Sequence, residues 1–112
     1  MILEKIKKIN KESLPVILMG DFNSIPKSEP VNILEQGMID GLQISSKHLQ
    51  GPQGTFNGFD LSNPINKRID YIFIKNFQVL SYRHIDDRFE NNNHISDHLP
   101  VMAVLERLHR KE

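Results

Sequence analysis

The 112-residue chain predicts a layered α/β fold of the α+β kind, in which one mixed, mostly antiparallel sheet carries helices on one face. Three observations lead there. An amphipathic opening is followed by an unbroken apolar run, a second helical stretch comes next, and the later part of the chain alternates apolar strands with polar turns.

Ile2, Leu3, Ile6 and Ile9 recur at helical spacing, with Lys5, Lys7, Lys8 and Lys11 on the other face, which predicts a helix over 2–12. Leu14 to Met19 (LPVILM) is continuously apolar, the pattern of a strand covered on both faces and therefore central in its sheet. Ser28 suits the cap of a short helix over 29–36, with Val31 and Leu34 inward, Pro30 in the tolerant first turn and Gly37 at the stop. Residues 41–68 are loop-rich, broken by Gly41, Gly51, Pro52, Gly54, Gly58 and Pro64, with one short strand expected near Gly54 to Phe56. Arg68 to Ile74 (RIDYIFI) and Gln78 to His84 (QVLSYRH) read as strands around the tight turn Lys75-Asn76-Phe77. A polar loop over 86–94 precedes a last strand from Leu99 to Leu108, with Pro100 near its beginning. No repeat, low-complexity tract or linker divides the chain, so residues 1–112 are expected to form a single unit.

Composition narrows the chemistry. Lys plus Arg (14) balance Asp plus Glu (14), so no global basic field draws in a polyanion, and no dedicated nucleic-acid-binding surface is evident. The absence of cysteine excludes disulfides and thiolate metal sites. No apolar stretch approaches the length of a membrane span, and MILEKIKKINKE lacks the long apolar centre of a signal peptide.

Polar groups gather at strand ends. The LPVILM run stops at Gly20, and Asp21 and Asn23 follow. Residues two apart in an extended chain point the same way, so both could converge just past the strand, although the same residue types also cap ordinary turns. Asp70 shares a strand face with Ile72 and Ile74, where an ionised carboxylate needs a cation or hydrogen-bond donors. Arg68 or a lysine is one candidate partner; a histidine, whose tautomer an aspartate can fix, is another. Ser96-Asp97-His98 then sits directly before the apolar LPVMAV strand. Three such clusters, each abutting an apolar strand, point to one shared site.

Together, LMGDFNSIPKS, TFNGF (Thr55 to Phe59), RIDYIFI and SDHLPVMAVL resemble the endonuclease/exonuclease/phosphatase superfamily of metal-dependent phosphoesterases, in the family's order. The resemblance covers nearly the whole chain but only the C-terminal half of a complete family domain. It implies half of a four-layer α/β/β/α sandwich, and it identifies residues 1–112 as a single partial domain. It implies catalytic roles for Asp21, Asn23, Asp70 and His98: Asp21 orienting the attacking water, Asn23 hydrogen-bonding the phosphoryl group, and His98 contacting the scissile phosphate with Asp70 as orienting partner. Thr55, Phe56 and Asn57 resemble a loop near the substrate, so Asn23, Thr55, Asn57 and His98 are the substrate-binding set. Asp97 resembles a carboxylate near the metal, which in the complete domain is Mg²⁺ or Mn²⁺. A hard divalent ion suits carboxylate and amide oxygens and bridges to phosphate.

The family's first half, with its principal metal-binding glutamate, has no counterpart among these residues. Glu4 and Glu12 lie in the helix and connector without a matching motif. The isolated chain is therefore expected to be inactive, and no ion need be bound to it. Its uncovered sheet face is expected to drive homodimerisation. The alternative is a non-catalytic half-domain that serves as a dimerisation or binding module. The substrate class stays open among nucleic acids, lipids, sugar phosphates and nucleotides. Localisation stays open too: cytoplasmic if Met1 is the true start, secreted if an upstream half carries a signal.

Overall fold

The structure, a computed structural model, describes residues 1–62 and 64–108. Seven elements follow in order: α1 (Ile2–Ile9), β1 (Val16–Asp21), α2 (Glu29–Leu34), β2 (Ile39–Asp40), β3 (Asp70–Lys75), β4 (Phe77–His84) and β5 (Val101–Arg107). The α+β class is as the sequence predicts, with antiparallel strands and helices on one side. The strands, however, fall into two sheets, β1-β3-β2 and β4-β5, rather than one. The reason is that β3 is already paired along both edges, by β1 and by β2. After the turn at Asn76, where φ is +65°, β4 finds no free edge on β3 and pairs with β5 instead.

The apolar β1 run is not a central strand. It lies at the edge of its sheet, and only alternate residues are covered. Val16 and Leu18 turn toward the helices, where Val31, Leu34, Met38, Tyr71 and Phe73 form a core with help from Leu3 and Phe22. Ile17 and Met19 stand on the opposite face and are 47% and 69% exposed. In register they lie opposite Ile74 and Ile72. On that face Ile72 and Ile74 are buried against Val79 and Tyr82, with Phe77, Val101 and Leu105 packed around them. The β4-β5 layer therefore covers β3 but leaves β1 bare.

Several local expectations shift. The first helix ends at Ile9, which is 83% exposed, because the Asn10 side chain both accepts from the Leu14 amide and donates to its carbonyl. Ser28 occupies the cap position of α2 without a side-chain cap bond, and that helix ends at Leu34. Residues near Phe56 make isolated bridges to Lys67 and His98, not a strand. The two-residue β2, too short to leave a sequence pattern, is held by its pairing to Ile74 and Phe73. Among the described residues no helix is long and apolar enough to cross a membrane.

Candidate active site

The β1–β3 ladder sets Asp21 directly opposite Asp70 at its last pair. Side chains of directly opposed residues in an antiparallel pair share a face and lie about 5 Å apart at Cβ. Two carboxylates there repel each other unless a positive group joins them. His98 is that neighbour. Its Nδ1 lies 2.9 Å from Asp70 Oδ2, and its Nε2 lies 3.8 Å from Asp21 Oδ2. Ligand atoms of Asp21, Asp70 and His98 all lie within 4.8 Å of one another.

The tautomer follows from the partners. An ionised carboxylate only accepts, so His98 Nδ1 carries a proton and donates it to Asp70. The Asp70 hydrogen bond raises the His98 pKa above its ordinary value, against partial burial; the charges of Asp70, Asp21 and Asp97 add to the rise. Nε2 is left at the accessible end of the ring, whose side chain is 29% exposed.

Asp21 is fixed from its other side. The Asn23 amide donates to Asp21 Oδ1 at 2.7 Å, a tight turn that Asn23 closes at φ +49°. Asparagine tolerates this left-handed conformation better than most residues do. Between them Phe22 points into the helix-side core, edge-on to Tyr71 and Phe73. Its amide extends the ladder to the Ile69 carbonyl, and the Tyr71 hydroxyl donates to the Ser24 carbonyl at 2.7 Å. The motif that ends β1 is thus one half-buried aromatic packed against the core, with an exposed polar residue on either side. Beside the carboxylates an open cleft of about 340 Å³ runs along Met19, Gly20, Ile72, Leu99 and Val101.

The structure brings Asp21, Asp70 and His98 together and places the exposed Asn23 next to them. It does not bring in Asp97, which lies outside the three-residue group and whose carbonyl accepts from the Asn57 amide. Two residues expected to touch substrate are buried. Thr55 is completely enclosed, and Asn57 is 7% exposed. Every side-chain polar atom of Asn57 is engaged, with Nδ2 on His94 Nε2 and the Asp60 carbonyl, and Oδ1 on the Phe59 amide. Both side chains therefore make their hydrogen bonds within the chain.

Arg68, a candidate partner for Asp70, goes elsewhere. It forms a buried two-pronged pair with Asp40, at 2.6 and 2.5 Å, and lies 4.4 Å from the Tyr71 ring centroid. Burial works to lower the Arg68 pKa, but the Asp40 bond and charge outweigh it and the net shift is upward. Because Arg68 and Asp40 are 28 positions apart, no local spacing signalled the pair.

Residues 2–98 match the model of the Endonuclease/Exonuclease/phosphatase family. The chain belongs to that family. Among solved structures, a functionally unknown conserved protein from Enterococcus faecalis V583 superposes with a TM-score of 0.85 at 29% identity, covering 96% of this chain and 42% of that one. A mannosyl-6-phosphatase of Bacteroides thetaiotaomicron VPI-5482 gives 0.83 at 30% identity, over 94% of this chain and 43% of that one. An endonuclease/exonuclease/phosphatase family protein from Bacteroides thetaiotaomicron gives 0.80 at 31% identity, with 93% and 42% covered. No curated protein matches. The chain thus spans less than half the length of these family members.

Proposed function

We propose that this chain carries the nucleophile-and-phosphate side of a divalent-metal-dependent phosphoesterase. The observation that supports it is the facing Asp21–Asp70 pair with His98 across it. Asp21 has one oxygen committed to the Asn23 amide, so Oδ2 is the atom that holds and orients a water for attack on phosphorus. His98, anchored through Nδ1, presents Nε2 to a phosphoryl oxygen; its raised pKa favours the imidazolium, which donates there and offsets developing charge. Asn23, exposed next to Asp21, is assigned the hydrogen bond to the phosphoryl group.

The donor set fits a metal in part. Asp21, and to a lesser degree Asp70, offers the hard oxygens that Mg²⁺ or Mn²⁺ takes, and such ions keep several waters and bind phosphate directly. Asp70 is already occupied by His98, however, so a strong site needs a further carboxylate from outside these residues. The bound ion would supply charge neutralisation at the phosphate. The complete enzyme is accordingly the active species, and this chain alone is inactive or nearly so. The substrate is a phosphate ester. The 30%-identical mannosyl-6-phosphatase favours a sugar phosphomonoester first, ahead of long polynucleotides, which zero net charge disfavours.

The test is hydrolysis of a panel of phosphomonoesters and phosphodiesters by the longest gene product containing these residues. Mg²⁺-dependent turnover that EDTA abolishes is expected. Turnover indifferent to EDTA, or none on any ester, contradicts the reading.

The exposed Ile17 and Met19 favour a second reading, a half-domain that covers its bare sheet face with a second copy. Sedimentation of the chain at micromolar concentration separates the two. A dimer that Met19→Lys dissociates supports association; a well-behaved monomer removes it.

A further inference from the structure

We propose that Thr55-Phe56-Asn57 is a positioning clasp, which holds Asp70 and His98 in register and does not touch substrate. The segment lies between the two pieces of chain that carry the pair. Phe56 bridges Lys67 on one side and His98 on the other, so residues 54–57 run like a short strand between the approach to β3 and the approach to β5. The Thr55 amide donates to the Lys67 carbonyl at 2.9 Å, and the Thr55 carbonyl accepts from the Leu99 amide at 2.7 Å.

Each residue of the clasp grips a different part of the site. Thr55 Oγ1 accepts from the amides of Ile69 and Asp70 at 3.1 and 3.2 Å, fixing the backbone from which the Asp70 carboxylate projects. The Phe56 ring lies against the His98 imidazole, centroids 4.9 Å apart at 54°, and limits its rotation. Asn57 ties down the loop before His98. Its amide donates to the Asp97 carbonyl, and its Nδ2 donates to Nε2 of the buried His94. His94 Nδ1 in turn faces Asp86 at 3.4 Å. Gly54 permits the approach, since a Cβ there would lie 2.4 Å from the Lys67 nitrogen.

The inference deepens the reading of Asp70 and His98 as a working pair, but it is a statement about their geometry. Its test can therefore fail or succeed independently of any hydrolysis. NMR of the chain in EDTA follows the His98 Nδ1–H proton, which the Asp70 bond shifts downfield and protects from exchange with water. Thr55→Val removes the acceptor of two amides, and Thr55→Ser restores it. Exchange is expected to speed by about tenfold in Thr55→Val, as for one to two lost hydrogen bonds, and to return to the parent rate in Thr55→Ser. Should Thr55→Val fail to fold, Phe56→Leu, at a half-buried position, decides: exchange of the His98 Nδ1–H is expected to speed several-fold while the Asp40–Arg68 region keeps its spectrum. An unchanged Nδ1–H signal and exchange rate in a folded Thr55→Val, no recovery in Thr55→Ser, or an unchanged Nδ1–H exchange rate in Phe56→Leu would each overturn the clasp.

Discussion

Two histidines titrate in opposite directions for reasons the structure shows. His84 is 2% exposed, and burial lowers its pKa, while the Pro52 carbonyl, 2.8 Å from Nδ1, works the other way and the Arg68 charge lowers it further. The unfolded chain takes up that proton near about pH 6.5, so stability falls as pH drops through about 6.5 toward the lower folded value. His98 has the opposite sign. Its pKa is raised chiefly by the Asp70 bond, so its contribution is fully present below about 6.5 and is lost as pH rises through the folded value. Denaturant midpoints measured from about pH 8 to about pH 5 separate the two. His84→Asn keeps a donor for Pro52 but cannot titrate, so it should gain on the parent as pH falls; parallel curves would contradict the assignment. Such residues differ in how legible they were. Asp21, Asn23, Asp70 and His98 stood out in the sequence because each abuts an apolar strand. His84, by contrast, merely ends the strand expected from Gln78 to His84, a pattern that carries no sign of its charge state. Thr55 and Asn57 were visible as a motif, yet nothing in the sequence showed that their side chains would be buried and hydrogen-bonded within the chain.

At the scale of elements, β2 and the segment leading into β3 are joined by the Asp40–Arg68 pair, with side-chain exposures of 1% and 6%. Arg68 also reaches the Tyr82 hydroxyl at 3.5 Å, and that hydroxyl accepts from the Ile72 amide where β2 has run out. Removing one member leaves a buried charge unpaired. Asp40→Ala should cost about 3–5 kcal/mol in urea unfolding, whereas the double change Asp40→Leu with Arg68→Met should recover most of that loss. A single variant within about 1 kcal/mol of the parent would show the pair to be unimportant. The sequence marked β3, β4 and β5 to within about two residues, the usual uncertainty of element ends. It misplaced β1 in the sheet because a continuous apolar run reads the same whether its second face meets a layer within the chain or one beyond it. It could not show β2 at all, since two residues carry no periodicity.

On the scale of the whole molecule, one sheet face is built like an interior and left partly uncovered. β3 is buried on both sides, by the helices on one and by β4-β5 on the other, but Ile17 and Met19 of β1 have no cover. The facing carboxylates open onto the cleft on that same side. Whatever covers β1 therefore borders the site. The solved structures that superpose on the chain are more than twice as long as the part it matches. The central claim is that Asp21 and His98 act on one phosphate from this face. The most direct measurement is kcat/KM for the best ester of the panel, compared among the parent gene product, Asp21→Ala and His98→Ala in Mg²⁺. The account predicts a loss of about 10²- to 10⁴-fold in each variant with the fold intact. Undiminished hydrolysis in either one would contradict it.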